Sequence, residues 1–208
     1  NRTDHNATNT LLLIQLYPLL VVCPAGFSLA REYQRGTRVY TVSRLGNSTY
    51  LASKYLAAFL ATMIVFTVPF LLEIVLNCVS FPLSAIGDLS HRSPYEKAYV
   101  NSPYLYAIIG TLFWGMISGL LGIFTVALSS LIKVKYNVFL FLPVFVALNL
   151  LTTLADRFPK EAPSIRWYDY VLLFNDEHKS TAILLAIISV LVLFPIGVVC
   201  ASGRKDCL

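Results

Sequence analysis

The sequence predicts an all-helical protein that crosses a membrane several times, and three observations predict it. Of 208 residues, 57% are apolar and 13% are charged, with a mean hydropathy of +0.69, a balance that excludes disorder and sets the chain apart from ordinary water-soluble domains. Five segments, residues 11–30, 55–80, 103–131, 137–155 and 181–201, reach the roughly 20 apolar residues that a hydrocarbon core about 30 Å thick requires of a helix. Together they hold one formal charge, Glu73, a depletion that neither loops nor soluble-core helices explain. All 208 residues read as a single transmembrane domain. A net charge of +5 does not indicate a nucleic-acid partner, because readers of nucleic acid carry dense basic patches on polar chains. The bilayer is the expected partner.

In chain order, residues 1–10 are polar, with no basic start or cleavage site, so they are not a signal peptide. Two glycosylation sequons there, at Asn1 and Asn6, and a third at Asn47 are short patterns that chance supplies. The first span, 11–30, carries Pro18, Pro24 and the polar or aromatic Gln15 and Tyr17. Pro69, Pro143 and Pro195 stand in the second, fourth and fifth, so four spans should be bent or locally unwound where neighbours satisfy the freed carbonyls. Cys23, Cys78, Cys200 and Cys207 are far apart, and three lie in or beside apolar runs, so no disulfide framework is expected.

Cation placement orients the spans. Residues 31–54, 132–136 and 202–208 form one set of connections, with nine Lys and Arg; the longer opposite set, 1–10, 81–102 and 156–180, has seven, accompanied by eight acids. The first set is expected in the cytoplasm. That places Asn1 outside and the C-terminus inside, in a plasma or inner membrane. The simplest route for a short polar leader to the outside is an earlier span, so six spans are expected in the intact subunit.

Between the first two spans runs Arg31, Glu32, Tyr33, Gln34, Arg35, Gly36, Thr37, Arg38 and onward to Leu45, Gly46, Asn47 and Ser48. Gly followed by Asn and Ser reads as a helix stop and then an N-cap, so a short helix should end near Leu45 and the next begin near Thr49. Val39, Tyr40, Val42 and Leu45 give this basic knob an apolar surface able to dock into a groove. Lys54 sits at the mouth of the next span, its stem free to snorkel.

On these residues the chain resembles the ABC-2 type permease family, the membrane subunits of ATP-driven exporters. The family pattern is an acid after a span, a Gly-Thr pair four residues on, a polar and basic stretch, and a Lys opening the next span. Glu32, Gly36, Thr37, Ser43 and Lys54 follow that order, with Gly46 where the family usually has proline. The match covers about 25 residues; elsewhere the likeness is one of layout. The resemblance implies a homo- or heterodimer of permease subunits, each docking a cytoplasmic coupling helix onto a nucleotide-binding ATPase subunit that holds ATP and Mg. Glu32, Arg35, Gly36, Thr37 and Arg38 would form the transmission knob, with Lys54 orienting the following helix. An ATPase fused upstream, as in half-transporters, fits the same likeness. The chain has no glycine-rich stretch followed by a Gly-Lys pair, so no phosphate cradle of its own, and it is expected not to be an enzyme. The alternative is a channel or ion-coupled carrier with no ATPase, or a basic segment that only anchors the inner side.

Thr111, Gly115 and Gly119 are spaced by four, as are Ser118 and Gly122, a small-residue seam for close helix packing within one subunit or across a dimer. A charge at the depth of Glu73 costs at least about 3 kcal/mol unless it is paired, hydrated or protonated. Glu73 lies 19 residues beyond Lys54, towards the far end of its span, which suits an interfacial or cavity-facing carboxyl. With Gln15, Tyr17, Asn77, Asn149 and Thr152 it makes up the candidate substrate pathway. Residues 164–174, with Ile165, Tyr168 and Leu172 on one helical face, read as an outer amphipathic piece lying in the interface. His91 with Asp88, and His178 with Asp176 and Glu177, lack a third convergent ligand, so no metal is expected. With Glu73 as the lone carboxylate inside the spans, an intramembrane catalytic pair is not expected either.

Overall fold

The computed structural model describes residues 16–17, 20–23, 32, 35–80, 102–131, 146, 150 and 181–205. Every element among them is helical: α1 (Thr37–Leu45), α2 (Asn47–Ser80), α3 (Pro103–Leu131) and α4 (Thr181–Lys205). Leu16, Tyr17 and residues 20–23 are helical as well. Three helices are long and apolar enough to cross a membrane, over Asn47–Ser80, Tyr104–Leu131 and Thr181–Ser202. Most of the expected spans 11–30 and 137–155, the outer piece 164–174, both histidine clusters, and Gln15, Asn149 and Thr152 lie outside the described residues.

The helix ends follow local chemistry. Pro103 occupies the first helical position of α3, where its missing N–H costs nothing, and the Ser102 carbonyl accepts the first bond, from Tyr106 N–H at 3.1 Å. Two boundaries differ from expectation. α2 starts at Asn47 rather than near Thr49, because the Gly46 carbonyl already accepts Tyr50 N–H at 3.1 Å. α4 runs to Lys205 rather than stopping at Ala201. At the end of α4 the apolar run marks the part of a helix suited to lipid, whereas the hydrogen-bonded helix continues past it. α2 and α4 run through Pro69 and Pro195, each of which leaves one carbonyl without its helical partner, that of Val65 and that of Leu191.

Two packed clusters set the relative directions. Tyr50, Leu51, Tyr55 and Ala58 of α2 meet Val126 and Ala127 of α3 and Val198 of α4. At the next level Phe66 meets Ile117, Leu121 and Leu191, together with Tyr17 and Val21. Rising numbers in α2 therefore pair with falling numbers in α3 and α4. The start of α2 and the ends of α3 and α4 share one end of the bundle, called here the Tyr50 end.

α2 and α3 approach closely because glycine removes the side chain at the contact. A Cβ on Gly115 would collide with Thr67 Oγ1; one on Gly119 would lie 2.7 Å from the Phe59 ring, and one on Gly122 2.6 Å from Thr62 Oγ1. The seam is thus filled from within the same chain. On the α3 side hydroxyls turn back on their own helix, Thr111 donating to the Ala107 carbonyl at 2.8 Å and Thr125 to Leu121 at 2.7 Å, whereas Thr62 and Thr67 of α2 bury their hydroxyls in the seam without a partner among the described residues. The outward face of α2 is an apolar stripe, Leu56, Leu60, Ile64, Val68 and Leu72, all exposed. Such a stripe marks an interaction surface in water and is an ordinary lipid-facing surface in a bilayer.

Candidate functional site

The candidate coupling residues gather at the Tyr50 end. α1 is held between two glycines of positive φ, Gly36 in the left-handed helical conformation at φ 69°, ψ 3° and Gly46 at φ 76°, ψ 152°. Non-glycine residues pay about 1–2 kcal/mol for the first conformation, and the second is essentially reserved for glycine. Gly46 is a one-residue joint: its N–H donates to the Val42 carbonyl at 2.9 Å, closing α1, while its carbonyl opens α2. Along α1 the short hydroxyls fold inward, Thr41 onto the Thr37 carbonyl at 3.2 Å and Ser43 onto Tyr40 at 2.9 Å. What α1 offers outward is apolar and basic.

Val39 and Tyr40 are 71% and 76% exposed and Leu45 is 54% exposed, with Arg35 and Arg44 exposed beside them. Val42 corrects the expected docking surface. It is partly buried and packs against the Tyr50 cluster, since two residues on from the exposed Tyr40 is about 200° around the helix. Thr37 is exposed at the start of α1, and the side chain of Arg38 is outside the described set.

Glu32 does not stand alone as a knob residue. Its carboxylate pairs with Lys54 and accepts a hydrogen bond from the Tyr50 hydroxyl. Tyr50 and Lys54 are one helical turn apart, so both reach the same partner, and the Lys54 ammonium lies 5.8 Å from the centroid of the Tyr50 ring. Partial burial pushes the Glu32 carboxyl up, but the bonds from Lys54 and Tyr50 and the Lys54 charge outweigh it and hold the group below the usual carboxylate range. With that acid neutralised and no other acid between Arg35 and Lys54, the end stays positive. Tyr50 is the partner that sequence reading missed. The signal was present: a tyrosine one turn before a lysine at a span's mouth, with an acid upstream.

The candidate pathway residues do not come together among the described residues. Tyr17 is buried and packed in the core. Its hydroxyl lies 2.8 Å from Ser118 Oγ, and since Ser118 donates to the Trp114 carbonyl at 2.8 Å, Tyr17 is the donor of the pair. Its ring packs edge-on to Phe66 at 5.4 Å and stacks with Trp114 at 6.2 Å, and Phe70 closes on Trp114 at 4.5 Å. An aromatic phenol thus satisfies its polar tip inside the seam instead of in water. Glu73 and Asn77 lie on the exposed face of α2, a turn apart, and no ion pair to Glu73 forms among the described residues. Nor do those residues contain three His, Cys, Asp or Glu grouped to hold a metal, and Cys23, Cys78 and Cys200 are free thiols. Comparison with protein-family models, with curated proteins and with solved structures finds no match to this chain.

Proposed function

We propose that this protein is the transmembrane subunit of an ATP-driven exporter of the ABC-2 permease kind, working as a dimer, with α1 as the coupling helix that docks on a nucleotide-binding subunit. The observation that carries this reading is α1 itself. It is a short basic helix at one end of a bundle of spanning helices, jointed by glycine at both ends, with Val39, Tyr40 and Leu45 presented outward. Apolar side chains ringed by Arg35 and Arg44 suit a groove with an apolar floor and an acidic rim. ATP and Mg belong to the partner, and its closure would press on α1. The Tyr50 end is the cytoplasmic end in this reading, and the C-terminus shares it.

The directions of the helices support a fourth crossing. α3 ends at the Tyr50 end and α4 starts at the other, so a chain that crosses a bilayer with these helices must cross back between Leu131 and Thr181. The apolar residues 137–155 fall in that interval. Residues 81–102 then lie outside with 156–180, as the cation distribution also has it.

The test is co-purification. The intact protein, gently solubilised, is expected to bring down an ATP-hydrolysing subunit or to carry one on the same chain. If it does neither and still moves ions or solutes, the channel or carrier reading replaces this one. Gly36→Trp adds bulk to the outward surface and strains a positive-φ site; it is expected to leave assembly intact while ATP hydrolysis no longer drives transport.

A further inference from the structure

Glu32 stands before α1 and Tyr50 and Lys54 stand after it, so their contacts close the chain around α1 into a loop whose two roots touch. We infer that Glu32, Tyr50 and Lys54 form a clasp that locks the roots of α1 to the bundle, so that α1 moves as a lever about Gly36 and Gly46 and delivers its displacement to α2. The inference goes beyond the docking role of α1, because it concerns how the helix is held whether or not an ATPase binds it.

Three independent features carry the clasp. First, Glu32 takes bonds from two consecutive turns of α2, which fixes both its height and its rotation about α2; a single contact would leave it free to pivot. Bonds to an ionised group are also the stronger kind. Second, the clasp is seated on the rigid part of the molecule. Tyr50 is 1% exposed and belongs to the cluster that joins α2 to Val126 and Ala127 of α3 and Val198 of α4, so a pull on Glu32 is felt by three helices. Third, the joints are free where the clasp is tight. A Cβ at either Gly36 or Gly46 would meet nothing within 4 Å, so no packed neighbour opposes rotation there. Val42 is the α1 side chain that rests on the core. Closing a loop of this length costs the chain entropy once, and the clasp meets that cost so that small displacements of α1 are not lost in a slack root.

Hydrogen exchange on the intact protein in nanodiscs tests this without any ATPase. In Glu32→Gln and in Lys54→Met, amides of residues 37–50 are expected to exchange about tenfold faster than in the wild type, the effect of removing one bond to a charged group, while residues 115–127 stay unchanged. The swap Glu32→Lys with Lys54→Glu is expected to return the rate to within about twofold of wild type, since the Tyr50 hydroxyl can accept from a lysine as well as donate to a carboxylate. Wild-type exchange in the single variants, or a swap as fast as the singles, overturns the clasp. If a single variant loosens residues 115–127 as well, Tyr50→Phe decides, because it removes one oxygen and keeps the buried ring: faster exchange confined to 37–50 supports the clasp and unchanged exchange overturns it. Faster exchange with undiminished ATP-driven transport overturns the lever role of the clasp, whereas the ATPase reading fails only if no ATP-hydrolysing subunit accompanies the protein, so the two readings fail separately.

Discussion

Glycine does opposite work in two regions of this molecule. In the α2–α3 seam, Gly115, Gly119 and Gly122 have ordinary helical backbones and no room: Thr67, Phe59 and Thr62 occupy the volume a side chain would need. In the elbow, Gly36 and Gly46 have open space and a positive φ. The seam uses glycine for its missing volume, the elbow for its dihedral freedom. A seam built that way is stiff, because backbones in contact leave no slack. The elbow, attached through Val42 and the Glu32 clasp, is a part that can move.

The comparison breaks most readily at Gly115. Gly115→Ala drives a methyl into Thr67 Oγ1, which sits on a short, stiff side chain and cannot swing away, so a loss of about 3 kcal/mol is expected, at the upper end of overpacking penalties. Thermal or denaturant unfolding in detergent reads the loss. Combining it with Thr67→Ala should recover more than half, because the two sites share one contact. If Gly115→Ala is as stable as wild type, the close approach of α2 and α3 is wrong. Gly46→Ala should cost about 1–3 kcal/mol, the strain of a side chain at φ 76°, ψ 152°, a region essentially reserved for glycine; the loss should appear as faster exchange in α1 with the seam untouched.

Acidification probes the elbow alone. Because the Glu32 carboxyl is held below its ordinary value, its contribution is complete above the usual carboxylate range and is lost as pH falls through the lowered value. The groups facing it are Lys54 and Tyr50. Exchange in α1, corrected for its intrinsic pH dependence, should be flat from about pH 8 to 5 and rise below about pH 4, near and under the ordinary glutamate value. In Glu32→Gln it should be raised and flat over the whole interval. A rise already complete at pH 6 would assign the transition to another group.

These contrasts mark what a linear reading reaches. The close of α1 at Leu45 and the joint at Gly46 are legible because a stop signal is local chemistry, and residues 103–131 coincide with α3 because apolar length and a leading proline are local too. Glu32 and Lys54 are legible as members of one pattern but not as partners, since contact across a separation of 22 positions depends on how the chain turns at Gly36 and Gly46. The packing of Tyr17 is hidden for the same reason. A phenol in a span does not say which neighbour accepts its hydrogen bond, here Ser118. The small-residue seam is legible as a contact surface, but its occupant is not, because glycine spacing says that a backbone approaches and leaves open which one.

The smallest effect sharpens the contrast most cleanly. Gly197, in α4, belongs to neither class: it has helical backbone, an exposed surface, and nothing within 4 Å of where a Cβ would stand. With neither volume nor dihedral at stake, what remains is helix propensity, which favours alanine by about 0.5–1 kcal/mol in water. In a bilayer the unfolded reference keeps its helix, because exposed amides in lipid are too costly, so most of that gain vanishes from the difference. Gly197→Ala is therefore expected to shift stability by less than about 0.5 kcal/mol in either direction, measured in the same detergent titration as Gly115→Ala. A large loss would mean that another surface packs at Gly197, and α4 would then have a close neighbour on a face that is open here.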